Sequence, residues 1–249
     1  MCGHASLLLV SFVAGLALRF DARADELTLT SKSSGTHLLE LFTSEGCSSC
    51  PPTEAWLGKL KNDDRLWQDF VPIAFHVDYW DRLGWKDRFA RPEWTQRQRA
   101  YAKQWGSSSV YTPGFVLDGS EWQDWSRKLA LPTGGNTGLL IASVNGNLVT
   151  ITFQASGKLP GGSAHVAWLG FNFSSNVGAG ENAGRSLRHD FVVLRHAARP
   201  LVRNDNGSWT AELNSSAAED DSGAIACWIE TGGVPIQATG GWLPGYRKS

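Results

Sequence analysis

An α/β unit followed by a β-rich part is the fold class this sequence predicts, on three observations. A strand, a Cys-x-x-Cys, a helix and a second strand follow one another between residues 37 and 77. An Asn-Gly pair between two apolar runs marks a hairpin at residue 145. Short apolar runs separated by turn residues then continue to the C-terminus, the pattern of a β-sandwich.

His37–Phe42 (HLLELF) reads as a buried strand, and the small, polar stretch Thr43–Gly46 leads from it into the cysteines. Trp56, Leu57 and Leu60 then fall at the spacing of a helix with one apolar face. Val71–Val77 is a second strand, ending in the aromatic loop Asp78–Asp87 (DYWDRLGWKD). Arg91–Trp105 reads as a helix in which Trp94, Tyr101 and Trp105 form one core-facing stripe at about 100° per residue. Val110–Leu117 is a third strand interrupted by Pro113, and Glu121–Ala130 a short helix. Pro132–Gly138 is the best linker. Beyond it, Leu139–Val144 and Leu148–Phe153 flank Asn145-Gly146, and strands are expected at His165–Phe173, Phe191–Leu194, Ser208–Leu213 and Ala224–Glu230. The expected organisation is residues 36–131 as the first domain and 139–245 as the second.

The chain has 249 residues, with Lys plus Arg at 23 against 24 Asp plus Glu. A nucleic-acid binder needs clustered positive charge, and none is present. Leu7–Leu18 is an apolar run of 12 residues, shorter than the roughly 20 that cross a bilayer. Ala22-Arg23-Ala24 follows it as a small-x-small cleavage site, so residues 1–24 read as a signal peptide. The expected location is periplasmic or secreted, with no membrane association after cleavage. Three of the four cysteines lie beyond residue 24: Cys47, Cys50 and Cys227. A secreted disulfide scaffold would carry more, in an even number.

Strand, Cys-x-x-Cys, helix and strand in this order are what a thioredoxin-like βαβ unit needs. A cysteine at a helix N-terminus faces unpaired N–H groups and the positive end of the dipole, which favours its thiolate. Cys47 is then the exposed attacking thiol and Cys50, one turn on, the resolving thiol. Thr112-Pro113 lies inside a strand, where proline is unexpected unless the geometry is special. Either a cis-proline loop opposite the cysteines or an edge strand with a trans proline fits. Pro51 and Pro52 remove two donors from the first helical turn, and the residue before a proline resists the helical region.

The runs Glu40–Pro52 (ELFTSEGCSSCPP), Phe75–Asp81 (FHVDYWD), Leu83–Asp87 (LGWKD), Arg97-Gln98 and Val110–Pro113 (VYTP) resemble a bacterial family of exported thioredoxin-like proteins of unknown function. Asn182–Leu187 (NAGRSL) and Phe191–Leu194 (FVVL) resemble its C-terminal half. The likeness covers residues 36 to 240. It implies a thioredoxin fold, Cys47 and Cys50 as the redox pair, and Pro113 in the cis-proline position. It supplies no substrate.

Further candidates carry two readings each. Glu40, in an apolar strand, is either a buried proton acceptor for the resolving thiol or a carboxylate paired with a basic side chain. His76 and Asp78 point to one face of a strand, and Cys47, Cys50 and His76 would make a soft copper or zinc set. The alternative for His76 is a hydrogen-bonded interior histidine. The Trp-rich loop Asp78–Asp87 is a peptide-docking surface or a cover for the domain joint. Cys227, between apolar neighbours, reads as an inert strand residue or as a thiol that pairs with another chain or with the redox pair. His189, His196, Arg185, Arg188 and Arg195 read as a solvated basic edge or as an anion site.

The expected function is thiol–disulfide exchange by Cys47 and Cys50, with Thr112, Pro113 and Glu40 beside them. Its partners are protein or small-molecule thiols and disulfides, and no cofactor is expected. The alternatives are a binding or structural module with a stable Cys47–Cys50 bridge, and a copper or zinc protein. No nucleophile elbow or His-Glu-x-x-His points to a hydrolase.

Overall fold

The computed structural model describes residues 26–125, 129–133, 135–214 and 221–247. The signal-peptide reading of residues 1–24 lies outside them, as do residues 126–128 of the short expected helix and residue 134 of the expected linker.

The chain begins with β1 (Leu27–Thr30), β2 (His37–Thr43), α1 (Pro51–Lys59), β3 (Phe70–His76) and α2 (Pro92–Gln104). Next come β4 (Gly114–Leu117), β5 (Ser120–Glu121), β6 (Gly138–Asn145), β7 (Leu148–Ala155) and β8 (Ser163–Gly170). β9 (Phe173–Asn176), β10 (Ser186–His189), β11 (Val192–Pro200), β12 (Val202–Arg203), β13 (Trp209–Asn214), β14 (Ser222–Thr231) and β15 (Val234–Trp242) complete it.

An eight-stranded sheet runs β15-β14-β8-β11-β3-β2-β4-β5 and a five-stranded one β1-β6-β7-β13-β12, with β9 and β10 as a separate pair. This overturns the expected α/β thioredoxin-like fold with a sandwich-like part after it. Fifteen strands against two α-helices make the described chain mainly β. The succession β2, α1, β3 does form, with β2 and β3 parallel, but inside a larger sheet. β11 lies beside β3 through Val192 and Ala74, so strands from both halves share one layer.

Apolar periodicity explains most of the elements. β2 and β3 are buried nearly throughout, as strands covered on both faces must be, and read as continuous apolar runs. In β6 buried positions alternate with partly exposed ones, so one face alone is covered. That face packs Leu140, Ala142 and Val144 against Val166, Trp168 and Ile225 of the large sheet. The opposite core joins Leu57 of α1 and Trp94 and Tyr101 of α2 to β2 and β3.

Several expectations shift locally. Asn145 pairs with Leu148, so the hairpin loop is Gly146 and Asn147, with Gly146 at φ +55°. Ser120 and Glu121 pair with β4 as a strand, where a helix was expected to begin. Trp94 and Tyr101 are buried, but Trp105 is 38% exposed, stacked on Tyr101 at the end of the stripe.

Candidate functional site

The site grows from one end of β2. Register places Thr43 beside His76 of β3 and Phe42 beside Gly114 of β4. Thr43, His76 and the cis Thr112–Pro113 bond that leads into β4 therefore lie at the same end of the sheet. From Thr43 the chain turns through Ser44–Cys50 into α1. Pro51 and Pro52 occupy the first helical positions, where a missing N–H is least harmful. Cys50 takes helical angles (φ −76°, ψ −37°) despite preceding a proline, and its carbonyl accepts the amides of Thr53 and Glu54.

Cys47 and Cys50 form a disulfide with a Cα–Cα distance of 5.4 Å. Both are fully buried, which corrects the expectation of an exposed Cys47 thiol. A segment from the second half of the chain covers them. Asn182 Nδ2 donates to the carbonyls of Glu45 and Cys47, at 2.9 Å each. Glu181 accepts the Ser48 amide at 3.1 Å and its hydroxyl at 2.7 Å. Trp80 packs so closely on Gly46 that a Cβ there would come within 2.9 Å of the Trp80 Cβ. Only Ser48 and Ser49 of the Cys-x-x-Cys reach solvent. The aromatic loop thus serves the site internally: Trp80 donates to Thr112 Oγ1 at 2.8 Å and Trp85 to Glu45 Oε2 at 2.6 Å.

Glu40 sits in a different cluster. Its carboxylate accepts from Arg97 at 2.5 Å and from Tyr101 at 2.6 Å, the arrangement of an ion-paired strand carboxylate. Burial pushes its pKa up, opposed by the Arg97 charge.

The groups that do surround the cysteine loop are Glu45, Glu54, His76, Asp87 and His189. Thr43 Oγ1 donates to Glu54 Oε1 at 2.6 Å, and His189 Nδ1 donates to Glu54 Oε2 at 2.5 Å. His189 Nε2 lies 3.4 Å from Glu45 Oε1. His76 Nδ1 donates to Asp87 at 2.7 Å, and Asp87 also accepts the amides of Glu45 and Phe89. Burial alone would lower the His189 pKa, but hydrogen bonds to Glu45 and Glu54 outweigh it and hold the imidazole up to about 10. Burial would raise Glu45, and the His189 bond leads the effects that instead hold it below the ordinary carboxylate range. Asp87 is lowered too, its burial outweighed by His76 and the backbone donors.

His76 is therefore grouped with Glu54 and His189 instead of with the two cysteines. Nor is His189 part of a solvated basic edge, since it is buried. Cys227 is a free, buried thiol on β14, its pKa pushed up by burial, in the core between the two large sheets. Sequence reasoning passed over Glu54, Asp87, Glu181 and Asn182 as site residues. Glu54 stands in the first turn of α1, where a carboxylate complements the helix dipole, and Asn182 is part of a family motif without a role.

A family model described as a protein of unknown function, DUF1223, matches residues 38–229. The chain belongs to the DUF1223 family. Its fold is similar to the crystal structure of protein AGR_C_4864 from Agrobacterium tumefaciens, at 26% identity and a TM-score of 0.60, covering 86% of this chain and 96% of that one. It is also similar to the structure of HBP35 of Porphyromonas gingivalis, at 18% identity and a TM-score of 0.56, covering 85% and 76%. No curated protein matches the sequence. Both structural likenesses take in the two halves of the chain together.

Proposed function

We propose that this chain is an exported thiol–disulfide exchange protein whose working group is the Cys47–Cys50 bridge, with protein or small-molecule thiols as partners. The observation that carries the reading is a disulfide across a Cys-x-x-Cys at the start of α1. As a staple such a bridge is poor. Closing so short a loop stabilises a fold by only about 2 kcal/mol on chain entropy, against about 3 for a 15-residue loop.

The chemistry is an exchange. A partner thiolate attacks Cys47 Sγ, the sulfur–sulfur bond breaks, and the electron pair leaves on Cys50 Sγ, which takes a proton. A second partner thiol, as thiolate, then attacks the partner sulfur of this mixed disulfide. It releases the Cys47 thiolate, leaving a dithiol protein and an oxidised partner. Run backwards, the same steps reduce the protein's substrate disulfide. Because the sulfurs are covered, attack waits on displacement of Glu181 and Asn182 from the loop. Gly180 and Gly184, both at positive φ, flank that segment.

The test is trapping. Cys50→Ser is expected to hold a mixed disulfide with partner thiols at Cys47, and Cys47→Ser to hold none. Asn182→Ala should speed reduction of the wild-type bridge by a small dithiol roughly tenfold, in proportion to about 1.4 kcal/mol of lost cover. Full burial of both sulfurs favours a second reading, a structural module with a permanent bridge. A reduction potential below about −300 mV would support that module.

A further inference from the structure

We propose that Glu54, His76 and His189 form a binding site for one divalent cation of the zinc class, buried behind the cysteine loop. This goes beyond thiol exchange, because none of its ligands is a sulfur.

One ligand atom from each of Glu54, His76 and His189 lies within 4.8 Å of the others. The three come from α1, β3 and β10, so the fold itself converges them. His76 is oriented as metal-binding histidines are: Nδ1–H is given to a carboxylate, leaving Nε2 as the ligand. That nitrogen is buried and has no hydrogen-bond partner among the described residues. Glu45 Oε1 and His189 Nε2 instead pair with each other across 3.4 Å. A buried polar atom without a partner costs on the order of 1–3 kcal/mol, and the lone pair of His76 Nε2 inside this cluster calls for an acceptor.

Charge points the same way. Glu45, Glu54 and Asp87 are three carboxylates facing two imidazoles. Even with both rings protonated the five groups carry a net negative charge in a place water does not reach. A divalent cation among two imidazole nitrogens and one carboxylate offsets it with a donor set that suits zinc. Ligand atoms about 2.0–2.2 Å from a tetrahedral centre stand roughly 3.3 Å apart. On binding, the His189–Glu54 contact of 2.5 Å opens while the remaining ligands close in. The three protein ligands would tie α1, β3 and β10 together and leave the fourth tetrahedral position open. Glu54 also lines the cleft of about 430 Å³ beside Pro51, Gly58 and Asp190, one side chain away from solvent.

The experiment uses the full chain with its disulfide oxidised, stripped with chelator and titrated with Zn²⁺, and with Co²⁺ for its visible spectrum. Wild type is expected to hold about one equivalent and to give tetrahedral cobalt bands. His76→Gln and Glu54→Gln should each bind at least about 100-fold more weakly, and Asp87→Asn, which only positions His76, about 10–100-fold. Cys47→Ser/Cys50→Ser should still hold about one equivalent, so that this result and the failure of thiol exchange are separable. Should a ligand variant not fold, the wild-type stoichiometry and the cysteine double variant decide. Metal that stays well below one equivalent on wild type, that leaves with the cysteines, or that binds His76→Gln undiminished would overturn the site.

Discussion

Two buried clusters of charge stand on the large sheet, one around Arg97 and one around His189, and they differ in completeness. Arg97 donates to Glu40 at 2.5 Å and to Tyr101 and Glu230 at 2.8 and 2.6 Å, and its guanidinium lies over the rings of Phe75, Tyr101 and Trp228. Trp228 Nε1 and His165 Nε2 complete Glu230, at 2.7 and 3.3 Å. Among the described residues no buried polar atom of that cluster lacks a partner, whereas the His189 cluster leaves His76 Nε2 without one. A closed network holds strands together; an open one of the same residue types is where a ligand would be bound. This is why Glu40, the carboxylate singled out by its place in an apolar strand, is a structural group, and Glu54, which looked ordinary, is a candidate ligand.

The comparison breaks most readily at Arg97. Arg97→Ala would strand Glu40 and Glu230 as buried carboxylates and should lower stability by about 3–5 kcal/mol in urea denaturation. His76→Gln sharpens the contrast. With chelator present it should cost about 1–3 kcal/mol, the range for disturbing one buried hydrogen-bonded group. With Zn²⁺ at 100 times the dissociation constant, wild type should gain about 2.7 kcal/mol that the variant does not. An equal response of both proteins to the cation would erase the distinction between the clusters.

A third effect concerns acid. His165 faces Ser163, His196 and Glu230, with Arg97 near, and burial lowers its pKa to about 4. Between an unfolded value near 6.5 and that folded value, the unfolded chain binds the proton and the folded chain does not. Stability is therefore full above about pH 6.5 and falls as pH drops towards 4, by up to about 1.4 kcal/mol per pH unit from this group. His165→Gln should flatten the acid limb of a stability–pH curve; an unchanged limb would show that His165 is not held neutral.

Much of the local structure was legible. β2, β3, α1 and α2 declare themselves through apolar runs and helical spacing, and the β6–β7 hairpin through its turn residues. The fold class was not, because the pairing of β3 with β11 joins residues more than a hundred positions apart and leaves no local pattern. β1, β9, β10 and β15 also went unread; β9 and β10 alternate buried and exposed residues over four positions only, too few for a period. Of the site, the cysteines, Thr112 and Pro113 were visible as motifs at one end of the sheet. His189 was seen but placed at a solvated edge, since the arginines beside it in sequence say nothing of Glu45 and Glu54 beside it in space. Cover by Glu181 and Asn182 was invisible for the same reason.

The most direct test of thiol exchange is the equilibrium redox titration of Cys47–Cys50 in the oxidised, full-length chain against a glutathione buffer. Exchange requires a midpoint above about −300 mV, within reach of cellular thiols. A midpoint below that value would identify the bridge as a permanent fixture and contradict the function proposed for it.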